Sequence, residues 1–113
     1  MRVAREFYFD AAHYLPEYKG KCERLHGHTY KLEVVVEGKI GEGGMVLDFN
    51  ELKRVVSKKV IEKLDHADLN SMFPSPTAEN IASWIFSELK KELNLSSVKL
   101  WEGDGKWVEV TEG

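Results

Sequence analysis

The chain has 113 residues and 12.9 kDa, with 42% hydrophobic and 31% charged side chains. A chain of this size buries about two-thirds of its unfolded surface, which suffices for one core and not for two domains. Sixteen basic residues against nineteen acidic ones give a net charge of −3 and a pI near 5.8, the wrong balance for a nucleic-acid binder. No run approaches the ~20 apolar residues of a membrane helix, and Met1-Arg2-Val3-Ala4-Arg5-Glu6 lacks the apolar core of a secretory signal. The single cysteine, Cys22, excludes an intrachain disulfide and fits a reducing compartment. The expectation is a single-domain cytoplasmic protein without nucleic-acid or membrane partners. Twelve Lys and 14 Glu beside 4 Asn and no Gln match the composition reported for hyperthermophile proteins. Unfolding is therefore expected well above the mesophile range of about 45–65 °C.

The aromatic-rich run Phe7-Tyr8-Phe9-Asp10-Ala11-Ala12-His13 reads as a first strand. From His26 to Glu37 the alternation predicts a second. His26, His28, Tyr30, Leu32, Val34 and Val36 share one face, and a mostly polar set of Gly27, Thr29, Lys31, Glu33, Val35 and Glu37 shares the other. The glycine-rich segment from Gly38 to Gly44 is a loop or turn.

A first helix is expected from Asp48, an N-cap with Glu51 in capping-box position. Its predicted buried stripe is Phe49, Leu52, Val56, Val60 and Leu64, and it should end near Leu64-Asp65-His66. Ser75 or Thr77 would cap a second helix. Ala78, Ile81, Ala82, Ile85, Leu89 and Leu93 would form its apolar face and Asn94 its stop. In the tail, Val98, Leu100 and Glu102 share a strand face, Gly103-Asp104-Gly105 turns the chain, and Lys106 to Val110 returns it. The order ββααββ predicts an α+β fold, an antiparallel sheet with two helices on one face.

His26 and His28 are two residues apart on a strand, so their imidazoles project from the same face. His13 ends the preceding strand. If those strands pair, three imidazoles converge, and three nitrogen ligands with one open position describe a catalytic zinc site. Taken alone, such histidines are more commonly surface or hydrogen-bonded core residues. Cys22, four residues before His26, is a fourth zinc ligand, a catalytic thiol or a packed thiol. Asp65-His66 is either an ordinary helix end, the imidazole facing the helix dipole, or a carboxylate-oriented proton carrier. Glu102 is either an exposed strand end or an inward carboxylate that requires a partner.

Several motifs occur in one order: Phe9-Asp10-Ala11-Ala12-His13, Cys22-x-x-x-His26-Gly27-His28, Met45-Val46-Leu47-Asp48-Phe49, Leu64-Asp65-His66-x-x-Leu69-Asn70, Pro76-Thr77-Ala78-Glu79-Asn80 and the late Glu102. In this combination the chain resembles the 6-pyruvoyl- and 6-carboxytetrahydropterin synthase family from about Phe7 to Glu102. The resemblance implies the tunnelling fold (T-fold), in which subunits join their sheets into an oligomeric barrel with active sites at interfaces. It implies zinc on His13, His26 and His28, a catalytic thiol at Cys22, a proton-relaying pair at Asp65 and His66, and a pterin-anchoring carboxylate at Glu102. Three residues between Cys22 and His26 resemble the 6-carboxy branch of the queuosine (7-deazaguanine) pathway. That branch converts 7,8-dihydroneopterin triphosphate to 6-carboxy-5,6,7,8-tetrahydropterin, releasing acetaldehyde and triphosphate. The pyruvoyl-forming branch, which eliminates triphosphate only, is the alternative; a non-catalytic structural zinc protein is the remoter one. Lys19, Lys21 and Arg24 are candidates for holding the triphosphate because they flank Cys22. Two free sheet edges and a polar outer face favour pairing between copies, and together with the resemblance this predicts a homohexamer of two stacked trimers.

Overall fold

The computed structural model describes residues 1–14 and 25–112. Four strands form one antiparallel sheet in the order β1 (Arg2–His13), β2 (His26–Glu37), β3 (Leu95–Glu102) and β4 (Trp107–Thr111). Each strand pairs with its neighbour in sequence, so the sheet is a meander; β1 and β2 stay in register from Arg2↔Glu37 to His13↔His26. β1 begins five residues earlier than its aromatic run suggests, because Arg2 to Glu6 continue to pair with β2 although only Val3 among them joins the apolar cluster.

The helical layer comprises α1 (Phe49–Val56), a π turn (Ser57–Ile61), α2 (Glu62–Leu64) and α3 (Ala78–Leu89). Asp48 caps α1 by accepting from the Asn50 amide at 2.7 Å. The reciprocal half of the expected capping box is replaced: Glu51 binds Arg54 at 2.6 and 3.0 Å instead. Phe49 is 53% exposed, which corrects its place in the buried stripe; at the first helical position it sits beside Arg5, which donates to its carbonyl. Val55 supplies the missing apolar contact, and the inward residues are Leu52, Val55, Val56, Val60 and Leu64. The π turn adds a residue to one turn of this stretch and so shifts the helical phase of the residues after it. Thr77 is the cap of α3, accepting from the Asn80 amide at 3.1 Å. α3 ends at Leu89, about a turn before Asn94, whose side chain instead donates to the Glu37 carbonyl at the end of β2.

Phe7, Phe9, Ala11, Tyr30, Leu32, Val34, Val36, Val98 and Leu100 line the inner sheet face and meet Leu52, Val56, Ile81, Ile85 and Leu89 in one cluster. Tyr30, Leu32, Val34, Val98 and Leu100 are all fully buried. Leu100→Ala would cost about 2–5 kcal/mol by cavity formation. This packing clamps the central strands, and thereby sets the positions of the polar residues that extend the same face towards His13, His28 and Glu102. Gly103 and Gly105, at φ 71° and 77°, make the tight β3–β4 reversal immediately after Glu102.

Candidate functional site

Strand pairing places His13 directly opposite His26 and Ala11 opposite His28. The three imidazoles therefore meet at one end of the inner face. Ring centroids are 4.9 Å apart for His13–His26 and His13–His28, and 4.6 Å for His26–His28. One nitrogen from each ring lies within 4.8 Å of the others, the one such cluster among the described residues. A tetrahedral zinc with Zn–N of about 2.0–2.1 Å needs nitrogens roughly 3.3 Å apart, the same range of separation as this cluster. The donor set fits zinc: three imidazoles, His13 buried and the other two half-buried.

Glu102, on β3 beside β2, has Oε1 3.5 Å from His28 Nε2. Its backbone pairs with Tyr30. Tyr30, absent from the residues singled out by sequence, is fully buried, with its hydroxyl 2.7 Å from His13 Nδ1. Burial pushes its phenol well above the ordinary value of 10.0, and the Glu102 carboxylate adds to the effect. The sequence does carry a signal for it, a hydroxyl-bearing aromatic two residues after His28 on the same face. A recess of about 280 Å³ opens beside Glu102, lined by Thr77, Ala78, Glu79, Lys106, Trp107 and Val108. Its carboxylate can accept paired N–H donors.

Asp65 and His66 follow α2 and are tied to the edge of β1. Asp65 Oδ1 accepts from the Asp10 amide at 3.0 Å, and the His66 amide donates to the Asp10 carbonyl at 2.6 Å. His66 has φ 61°, left-handed for a residue other than glycine, and its Nδ1 stands 3.2 Å from Asp65 Oδ2. Such strain persists only where surrounding bonds over-determine it; here the two bonds to Asp10 do so. His66 shares a recess of about 340 Å³ with His28, Asp10 and Gly27. Asp10, legible in the sequence only as a strand residue, anchors this turn by its backbone while its side chain accepts from Thr29 at 2.6 Å. Cys22, Lys19, Lys21 and Arg24 lie outside the described residues.

A four-stranded antiparallel meander with a helical layer on one face and three histidines at one end is the architecture of the T-fold. The chain belongs to the 6-pyruvoyl tetrahydropterin synthase family, whose model matches residues 2–113; this is a family of lyases acting on pterins, and it binds zinc. A relative from Archaeoglobus fulgidus, named as a candidate 6-carboxy-5,6,7,8-tetrahydropterin synthase, is 48% identical over 103 residues, covering 90% of this chain and 88% of its own. The dihydroneopterin monophosphate aldolase of Pyrococcus furiosus is 45% identical over 113 residues, covering 96% of both chains. The structure of Caenorhabditis elegans 6-pyruvoyl tetrahydropterin synthase superposes with a TM-score of 0.88 at 27% identity, covering 100% of this chain and 96% of that one. No helix among the described residues is long and apolar enough to cross a membrane.

Proposed function

We propose that this chain is a zinc-dependent 6-carboxy-5,6,7,8-tetrahydropterin synthase. It would convert 7,8-dihydroneopterin triphosphate to the 6-carboxy product with loss of acetaldehyde and triphosphate, in cytoplasmic 7-deazaguanine (queuosine) synthesis. The observation that carries the reading is the convergence of His13, His26, His28 and Glu102 at one sheet end, with Cys22 separated by three residues from the His26-Gly27-His28 element.

In this reading His13, His26 and His28 hold the zinc, which when bound supplies Lewis-acid polarisation of the substrate side chain. Glu102 accepts two parallel N–H donors from the pterin edge, fixing the ring and offsetting the cost of an inward carboxylate. Cys22 and His66 move protons at the pterin and side-chain carbons, and Asp65 orients the His66 ring. Lys19, Lys21 and Arg24 hold the triphosphate by charge. Among the described residues no strand pairs with the outer edge of β4 or with β1 before the segment tied to Asp65–Ala67, which supports sheet pairing between copies. We assign the assembly as a homohexamer of two trimeric rings.

Product mass spectrometry with dihydroneopterin triphosphate tests the assignment. Release of acetaldehyde with triphosphate supports it; triphosphate release without acetaldehyde indicates the pyruvoyl-forming reaction instead. The Pyrococcus furiosus relative favours a second reading, aldol cleavage of dihydroneopterin monophosphate. Turnover of the monophosphate, with the triphosphate left intact, would select it.

A further inference from the structure

We propose that Tyr30 is a positioning residue for the metal centre, its hydroxyl fixing the His13 ring so that Nε2 is the nitrogen presented to the metal. The inference rests on the reading of His13, His26 and His28 as zinc ligands. Its basis is the 2.7 Å separation between the Tyr30 hydroxyl and Nδ1 of His13, both residues being buried.

The position of that hydroxyl is set from several sides. Tyr30 is opposite Phe9 on β1 and opposite Glu102 on β3. Its ring stacks on Phe9 at 5.0 Å with an interplanar angle of 8°, and meets His28 edge-on at 5.8 Å. Leu32 is fully buried beyond it on the same face, so a phenol oxygen turned that way would lose its hydrogen bond to apolar contact. A neutral imidazole carries one proton on its two ring nitrogens. A His13 that coordinates through Nε2 must therefore hold the proton on Nδ1, where the Tyr30 oxygen accepts it. Coordination through Nδ1 would instead force the ring to turn away from Tyr30 and leave a buried phenol unsatisfied. Hydrogen bonds of this kind to a ligand's second nitrogen fix the tautomer and raise ligand basicity, and their loss costs about 10–100-fold in metal affinity.

Tyr30→Phe removes the oxygen and keeps the shape. Zinc affinity, measured by competition with a chromogenic chelator, should fall about 10–100-fold. The far-ultraviolet circular dichroism of the metal-free protein should be unchanged, and the visible spectrum of the cobalt(II)-substituted variant should differ from that of the parent. In the zinc-loaded parent, ring-¹⁵N spectra should show His13 protonated at Nδ1; this measurement decides the matter even if the variant does not fold. Parental zinc affinity in Tyr30→Phe, or zinc on Nδ1 of His13, overturns the proposal and leaves the three-histidine site standing. A parent chain that binds no zinc, or binds it as well after His26→Ala, overturns the metal site itself.

Discussion

The molecule treats its histidines in two opposite ways. His13, His26 and His28 sit on paired strands, their rings within 5 Å of one another, and the His28 side chain is 19% exposed. His66 sits on a turn after a helix, 81% exposed, in a backbone conformation that L-residues rarely adopt. Ligands benefit from strand placement because a two-residue period and a clamped core fix their spacing before any ion arrives. In the proposed reading His66 carries protons and must reach a substrate that comes and goes, a need that an exposed ring on a strained, doubly anchored turn suits. Under the proposed roles, location in the fold, more than residue type, separates binding from transfer chemistry.

The sharpest way to break this comparison is to remove the metal. Chelation of the wild-type protein should abolish turnover while the far-ultraviolet spectrum survives, because in the proposed reading the ligands hang on an apolar core of the sheet and helices. Unfolding on chelation would mean that the zinc is structural. The next effect in size belongs to the transfer side. His66→Ala and Cys22→Ala should each lower turnover by about 10²-fold or more, the scale for a positioned proton donor or acceptor. Zinc stoichiometry should stay at the wild-type value, and the double variant should lose little beyond either single one. Near-normal turnover in Cys22→Ala at full zinc occupancy would end the mechanism.

Asp65 sharpens the comparison further, because its two oxygens do different work. Asp65→Asn keeps an acceptor for the Asp10 amide and loses the charge beside His66, so it should lower turnover with little change in melting midpoint. Asp65→Ala also loses the anchor and should reduce stability by about 1 kcal/mol, the scale of a lost hydrogen bond. Equal stability of the two variants would show that the turn is held by other contacts. The smallest effect is expected at the surface. Glu88 is held below the ordinary carboxylate range first by the hydrogen bond from Lys91, then by the charges of Lys91, Lys63 and Lys59. A depressed folded value means that any stabilisation is present above the ordinary carboxylate range and is lost as pH falls through the folded value. Exposure and salt screen the effect, so Glu88→Gln should leave the melting midpoint nearly unchanged at neutral pH.

Much of this was legible in the chain of letters. The alternation from His26 to Val36 located β2, its inner face and the shared side of His26 and His28, because side-chain direction in a strand comes directly from position. Turn chemistry likewise located the hairpin after Glu102, and the order of motifs identified the family. What sequence reasoning misplaced were features decided by local competition. Phe49 fell in helical phase with the apolar stripe, yet the first helical position lies outside the covered area. Glu51 had the spacing of a capping box but found a nearer cation in Arg54.

By itself, then, the sequence determined the periodic features: strand faces, the Asp48 cap and the hairpin after Glu102. Only the tertiary structure decided the encounters between segments far apart in the chain. These are the Tyr30 hydroxyl on His13, Glu102 beside His28, and Asp10 holding the strained His66 turn. The reason is physical. Periodicity is a property of neighbouring residues along one element, whereas a hydrogen bond between elements depends on register, twist and packing distance, which emerge only once the whole core has closed.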